Sequence, residues 1–436
     1  MTMTAHGPAR TVDEHFNALV EMIRPVGVTT APVNGTLRGR ILAQAPVAAL
    51  AIPPFSNSAM DGFLVNRADL AGVGKDRPVR LRVAGEVAAG SPPQAPRPGT
   101  AVRIMTGAPV PEDHSCFQVI PVEDTNVAPG PVPLPEEVDI YRASDRSHIR
   151  KRGENLAPGH TVAQARLRVD GATLASLISA GVSTVEVFAP IRVAVISSGD
   201  ELLSHGDLAG LVRPLAPGKL PDSNSPMIAA LVKDAAGADH AEVTVFHSGD
   251  TAQELGSLLD QLSSRVDLII TTGGVSAGAY DIVRETLLSR AHWSWFGHVH
   301  QRPGAPQGLG VWGSTPVVCL PGNPVAAFVS FHLYLTAAIA KLAGLHPAPS
   351  PLARPSVLAY ASHQFPATAG SRLLVVPASL SYHAPSPAAP SGITARPFNA
   401  HGGGSHRVGS LAGSSGFAAY TQHAPVPGDE VSVYLF

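Results

Sequence analysis

Three polar loops in this 436-residue chain carry side chains and backbone suited to binding ions. One is Ser197-Ser198-Gly199-Asp200-Glu201. Another runs from Thr272 through Gly273, Gly274, Val275, Ser276, Ala277 and Gly278 to Asp281. The third is Pro321-Gly322-Asn323-Pro324. Glycines let backbone N–H groups approach an anion closely, and a helix that follows such a loop adds a partial positive charge. No GK[ST] ends the second loop and it is not GxGxxG, so it matches neither common phosphate fingerprint. A tight strand-to-helix turn would use the same residues. Glu201, Asp222 and Asp281 offer the carboxylate oxygens that hold a hard cation such as Mg²⁺, which bridges anionic substrates. Capping a helix N-terminus would also account for Asp222 and Asp281. Asp61-Gly62 reads as a turn. The basic run Arg146 to Arg152, RSHIRKR, has the forks and point charges that receive phosphates, and equally the composition of a solvated loop.

Periodicity places these loops. Residues 11–24 predict a helix, with Thr11 and Glu14 at capping-box spacing and Phe16, Leu19, Val20 and Ile23 on one face. Residues 40–170 are β-rich, cut by Pro and Gly about every ten residues, with a surface loop at 127–137. From Ile191 strands alternate with helices: strand 192–196, helix 225–236, helix 251–263 opened by Thr251 and Glu254, strand 266–272, helix 281–290, strand 316–320 and a long apolar helix from Val325 to Leu342. This alternation predicts a parallel sheet with right-handed crossovers. Each ion-suited loop follows a strand, so the loops gather at the carboxyl edge of the sheet, where open α/β folds bind ligands. Beyond residue 346 only short β runs remain, which predicts a small C-terminal β domain.

The composition excludes a disordered chain, with 44% hydrophobic and 15% charged residues. A net charge of −2 gives no global field toward nucleic acid or acidic lipid. Cys116 and Cys319 form no metal-ligand spacing or disulfide framework, which fits a reducing cytoplasm. The 325–342 run contains His332 and Lys341 and opens with Asn323-Pro324 like a capped helix. It is expected to be a buried helix and not a membrane span.

The motifs, in this order, resemble the molybdopterin molybdotransferase family, which includes bacterial MoeA and the C-terminal domain of gephyrin. PPFSNSAMDGFLV (53–65), GTAVRIMTGAPVPE (99–112), PVEDT (121–125), KRGENLAPG (151–159), VAVISSGDEL (193–202), DSNSPMIAALV (222–232), DLIITTGGVSAGAYD (267–281) and VVCLPGNPVAAF (317–328) carry the likeness, and it covers essentially the whole chain. The resemblance implies a multidomain α/β and β protein. Residues 1–52 with 149–190 would form an elongated N-terminal linker subdomain, 53–148 a β-rich second subdomain, 191–346 a three-layer molybdopterin-binding α/β domain, and 347–436 a small C-terminal β-barrel-like domain. It further implies a cytoplasmic homodimer whose cleft pairs the α/β domain with the second subdomain of the partner protomer. The implied reaction cleaves adenylylated molybdopterin in the presence of molybdate and Mg²⁺ or another divalent cation, with molybdenum entering the dithiolene and AMP leaving. Carried over position by position, the catalytic set is Asp61, Thr106, Glu201, Asp222 and Asp281. The metal set is Glu201, Asp222 and Asp281. The pterin-nucleotide set is Gly273, Gly274, Ser276, Arg302, Pro321, Gly322 and Asn323.

The chain departs from the family pattern where GED becomes Gly153-Glu154-Asn155 and where KPGKP becomes Arg302-Pro303-Gly304-Ala305-Pro306. It departs again where Ala326 replaces a common Ser after PGNPV. A basic C-terminal-domain residue for molybdate has Arg372 as its candidate. Losing a charged hydrogen bond to a desolvated dianion costs about 1–3 kcal/mol, so these departures imply weakened molybdate use. A second reading follows: a gephyrin-like paralogue, as in actinobacteria, that acts as a dimeric scaffold and grips a short peptide tail, such as that of the tubulin-like division protein, at the C-terminal domain.

Overall fold

Thr11 opens the first helix as its spacing predicts. Its Oγ1 accepts from the Glu14 N–H at 3.1 Å and Glu14 Oε2 accepts from the Thr11 N–H at 2.8 Å, closing the capping box in both directions. The computed structural model describes residues 7–203, 215–275, 281–367, 370–387, 389–398 and 407–436. They fall into two compact units. The first comprises residues 1–29, 39–43 and 186–436, and the second 30–38 and 44–185.

Six strands form the central sheet of the first unit, in the order Ala241–Ser248, Ile191–Ser198, Leu268–Thr272, Thr315–Leu320, Pro306–Trp312, Trp293–His298. Adjacent pairs among the first four are parallel, as the alternation of strands and helices predicts. The last two are antiparallel, which the sequence reading had not anticipated. Only a short non-helical stretch joins them, too short for the crossover that parallel neighbours need. Strand Ala241–Ser248 was also unread. It lies at the edge, and six of its eight residues are partly or fully exposed, so its apolar signal is weak.

Alternate residues of the central strands face opposite layers. Val193, Val195, Leu268 and Ile270 pack with Phe16, Leu19, Val232 and Leu335. Ala194, Ile196 and Ile269 pack with Leu255, Leu259, Val283 and Leu287. Helix Val12–Met22, helix Asn224–Ala236 and the long helix therefore cover one face, while helices Ala252–Leu262 and Ile282–Arg290 cover the other. This is the expected three-layer α/β arrangement.

The long helix runs Pro324–Ser330, widens to a π-turn at Phe331–Leu335 and finishes as Thr336–Leu342. By length and composition it could cross a membrane, but 78% of it is buried. Strands 356–361, 373–382, 393–397, 416–420 and 430–435, with the two-residue strand Gln301–Arg302, make a second six-stranded sheet. Pairing of Leu373–Tyr382 with Gly416–Tyr420 closes it into the small barrel expected of the C-terminal region.

In the second unit a five-stranded sheet runs Phe117–Pro121, Gly62–Asn66, Thr100–Ile104, Val79–Val87, Glu137–Ile140. Its two faces bury separate clusters around Leu64 and Val102 and around Phe63 and Ala101. Helix Gly171–Ser179, missed in the sequence, is capped by Asp170, whose Oδ1 accepts from the Thr173 N–H at 2.7 Å.

Candidate functional site

Parallel register brings Ser198, Ser248, Thr272 and Leu320 to one edge of the sheet, and the loops after them line two adjoining cavities. Gly273 and Gly274 have φ of +97° and +64°, a region that favours glycine. A Cβ on Gly274 would lie 2.9 Å from Val283 Cγ2. The Gly273 N–H donates to the Leu320 carbonyl at 3.0 Å. Gly322 passes so near that its own Cβ would sit 3.3 Å from the Gly273 Cα. Asn224 ties these loops together: its Nδ2 donates to Thr272 Oγ1 at 2.8 Å and to the Gly322 carbonyl at 2.7 Å. Ser276 lies outside the described residues.

Glu201, Asp250 and Asp281 line a cavity of about 590 Å³ together with Gly273, Gly274, Pro321, Gly322 and Asn323. A neighbouring cavity of about 670 Å³ shares Ser198, Glu201, Gly273, Gly322 and Asn323 and adds Asp222 and Asn224. The structure thus gathers most of the expected set. Asp222, however, is committed to its helix: Oδ1 accepts from the Ser225 N–H at 3.1 Å and Oδ2 from the Ser225 hydroxyl at 2.6 Å. Asp281 occupies the N-cap position of helix Ile282–Arg290 but makes no capping side-chain bond. Among the described residues no three acidic, His or Cys side chains converge as a ready metal cage. Asp250 was not foreseen. It follows the unread edge strand, and its Oδ2 accepts from the Asp200 N–H at 3.1 Å.

Arg302 sits apart from the glycine loops. It lines a cavity of about 280 Å³ with Arg372, Pro303, Gly304, Ala305, Val325, Val375 and Val376. Pairing of Gln301 with Leu373 and of Arg302 with Leu374 brings the two arginines to this cavity, and no acid is among the described residues lining it. Gly304 lines both this cavity and the 590 Å³ one, so the acidic and basic regions adjoin at a single turn. Ala305 faces the basic side and Ala326 the acidic side.

In the second unit, Asp61 and Thr106, both carried over by resemblance, meet. Asp61 Oδ1 accepts from the Thr106 N–H at 2.6 Å and from its hydroxyl at 2.8 Å. These two bonds hold the carboxyl below the usual aspartate range, the backbone one contributing most. Asp61 lines a cavity of about 440 Å³ with Glu86, Arg103, Glu123 and the 127–132 loop. Within the basic run, Ile149–Arg150 pairs with Asn57–Ser58, just before the Asp61 turn. Asn155 lies in the same unit, its N–H donating to the Ile52 carbonyl at 3.0 Å.

Comparison with known proteins gives concordant results. Residues 10–181 match the family model described as the MoeA N-terminal region (domain I and II), and residues 194–341 match that of a probable molybdopterin binding domain. Molybdopterin molybdenumtransferase 2 of Mycobacterium tuberculosis is 39% identical over 342 residues, covering 77% of this chain and 80% of the relative. The molybdopterin molybdenumtransferase of Nostoc is 34% identical over 314 residues, covering 70% and 68%. A crystal structure of the molybdopterin biosynthesis MoeA protein of Pyrococcus horikoshii is similar in fold, with a TM-score of 0.76 at 22% identity, covering 98% of this chain and 100% of that one.

Proposed function

Since the chain belongs to the MoeA family of molybdopterin molybdenumtransferases, we propose that it completes molybdenum cofactor biosynthesis by transferring molybdenum from molybdate to adenylylated molybdopterin with release of AMP. The observation that carries this reading is the turn at Gly304, on which an acidic glycine-loop cavity and an arginine-lined cavity adjoin. A nucleotide-bearing substrate needs the first and a dianionic oxyanion needs the second.

In this reading the backbone at Gly273, Gly274 and Gly322 and the loop at Pro321 and Asn323 cradle the nucleotide side. Glu201 and Asp281 would hold Mg²⁺ against it. A cation of that kind commonly takes one or two carboxylates and completes its shell with phosphate oxygens and water, so the lining of the 590 Å³ cavity fits it without a full cage. When bound it neutralises phosphate charge as AMP leaves. Asp222 serves by holding the start of its helix, and through that helix Asn224. Arg302, in place of the first family lysine, and Arg372, the candidate basic residue of the C-terminal domain, act as donors to molybdate, with Ala305 contributing only main chain. Guanidinium groups present fixed planar donors suited to oxyanions.

Asp61 and Thr106 act from the second unit of a partner protomer in a homodimer. The four-part division at residues 52/53, 148/149, 190/191 and 346/347 is part of the same proposal. The names of the relatives favour an enzyme over a peptide-gripping scaffold. Incubating the purified full-length chain with adenylylated molybdopterin, molybdate and Mg²⁺ should release AMP faster than a no-protein control. Equal rates would refute the activity. Light scattering should give twice the 45.0 kDa chain mass; a monomer alone would refute the dimer.

A further inference from the structure

Two glutamines flank the turn that carries Arg302, in the run Gln301-Arg302-Pro303-Gly304-Ala305-Pro306-Gln307. Both are fully buried. Apolar side chains would fill such positions without requiring partners, so two carboxamides here call for a role. Each uses both N–H bonds of its Nε2 in the same way. Gln301 donates to the Pro303 carbonyl at 3.0 Å and to Ser330 Oγ at 3.3 Å. Gln307 donates to the Gly304 carbonyl at 2.7 Å and to Ser330 Oγ at 2.6 Å. A peptide carbonyl only accepts, so the amide nitrogens must face the turn. The buried Ser330 hydroxyl oxygen therefore receives both glutamines. Gln301 Oε1 in turn accepts from the Tyr334 hydroxyl. Ser330 and Tyr334 lie on the long helix where it widens into its π-turn, an irregularity often found at functional sites. The turn also packs directly on that helix. Gly304 has φ +80°, and a Cβ there would lie 3.0 Å from Ser330 Oγ and 3.3 Å from Ala326 Cβ.

We infer that Gln301, Gln307 and Ser330 are positioning residues for oxyanion binding: they fasten the Pro303–Gly304 carbonyls to the long helix, so that Arg302 and the main chain of the turn stand at the wall of the arginine-lined cavity before the oxyanion arrives. A desolvated dianion is held best by donors that need no reordering on binding, and a turn is otherwise among the more mobile parts of a fold. This inference rests on the assignment of that cavity to molybdate.

The test uses the full-length chain with Gln307→Met and, as the smaller change, Ser330→Ala. Molybdate KM and kcat are measured by AMP release at saturating adenylylated substrate, alongside AMP affinity by calorimetry. Each variant should raise molybdate KM about tenfold, with kcat changed less than KM and AMP affinity within about twofold. If Gln307→Met does not fold, Ser330→Ala carries the test. An unchanged molybdate KM, or molybdate and AMP affinities falling together, overturns the inference by showing a purely structural role. Arg302→Ala and Arg372→Ala separate the two levels. If these leave molybdate KM unchanged, the cavity assignment fails and the clamp falls with it. If they raise KM while the clamp variants do not, the clamp alone is wrong.

Discussion

At the glycine edge, the main cavity-lining groups come from loops that each follow a parallel strand, so their positions are set by a sheet whose register is continuous from Ser198 to Leu320. At the arginine cavity, one arginine comes from a two-residue strand and the other immediately precedes a strand of the C-terminal barrel, the two strands being joined by two rungs of pairing. The first arrangement rests on a continuous sheet and is robust. The second is assembled through two rungs of pairing, and in the proposed reading buried amides steady it. Protein charge is divided the same way, with carboxylates lining the robust side and guanidinium groups the assembled side.

The largest effect should come from Glu201→Gln. Removing the charge assigned to the proposed cation is expected to lower turnover about 100-fold or more while leaving molybdate KM nearly unchanged. Kinetics in which KM moves and kcat does not would reverse the assignment of the two sides. Next, Arg302→Ala and Arg372→Ala should each raise molybdate KM about 10–100-fold, the range for a lost charged hydrogen bond, with AMP affinity preserved. A fall in AMP affinity would merge the two regions into one site. A smaller gain is expected from Ala305→Lys with Asn155→Asp, which restores family residues and should lower molybdate KM about three- to tenfold. If wild type already matches the double variant, the two arginines suffice. Asp222 offers a finer cut. Asp222→Ala should cost about 1 kcal/mol, as for a lost cap, and lower Tm by a few degrees. Asp222→Asn keeps an acceptor for the Ser225 N–H and should keep turnover within about fivefold. A Glu201-like collapse in the asparagine variant would return Asp222 to the cation set. The smallest effect is at Thr106→Val, which removes the hydroxyl but not the backbone donor to Asp61. The Asp61 pKa should rise part of the way to its ordinary value in an NMR titration. Because the folded pKa is the lower one, this contact stabilises above the ordinary aspartate range and is lost as pH falls through the folded value. The variant should therefore show a smaller loss on the acid side.

Much of the robust side was legible in the sequence. Capping spacing announced the helices at Thr11 and Thr251, and both threonines accept from the third residue on. Alternating strands and helices placed the loops of Glu201, Gly273 and Gly322 on one edge. The assembled side was hidden for a physical reason. Strand pairing between Arg302 and Leu374 leaves no local pattern, so Arg372 stood out only by charge. Gln301 and Gln307 look like surface polar residues in sequence, and only burial reveals them as ties. Asp222 was ambiguous because one carboxylate type serves both caps and cations, and only its two bonds to Ser225 decide its present use.

The core position of helix Val12–Met22 bears on how the chain is made. Its apolar residues Phe16 and Leu19 share a cluster with Val329, Phe331 and Leu335, and Val20 receives the Lys341 ammonium across 321 residues of chain. At about 5–20 residues per second, a ribosome spends roughly a quarter-minute to a minute between the two. The second unit, residues 30–38 and 44–185, is complete well within that interval. A nascent chain stalled before Pro324 therefore carries all of the second unit while the first helix still lacks Val329, Phe331 and Leu335 of its cluster. Chaperone capture and early proteolysis should concentrate on that stretch during translation.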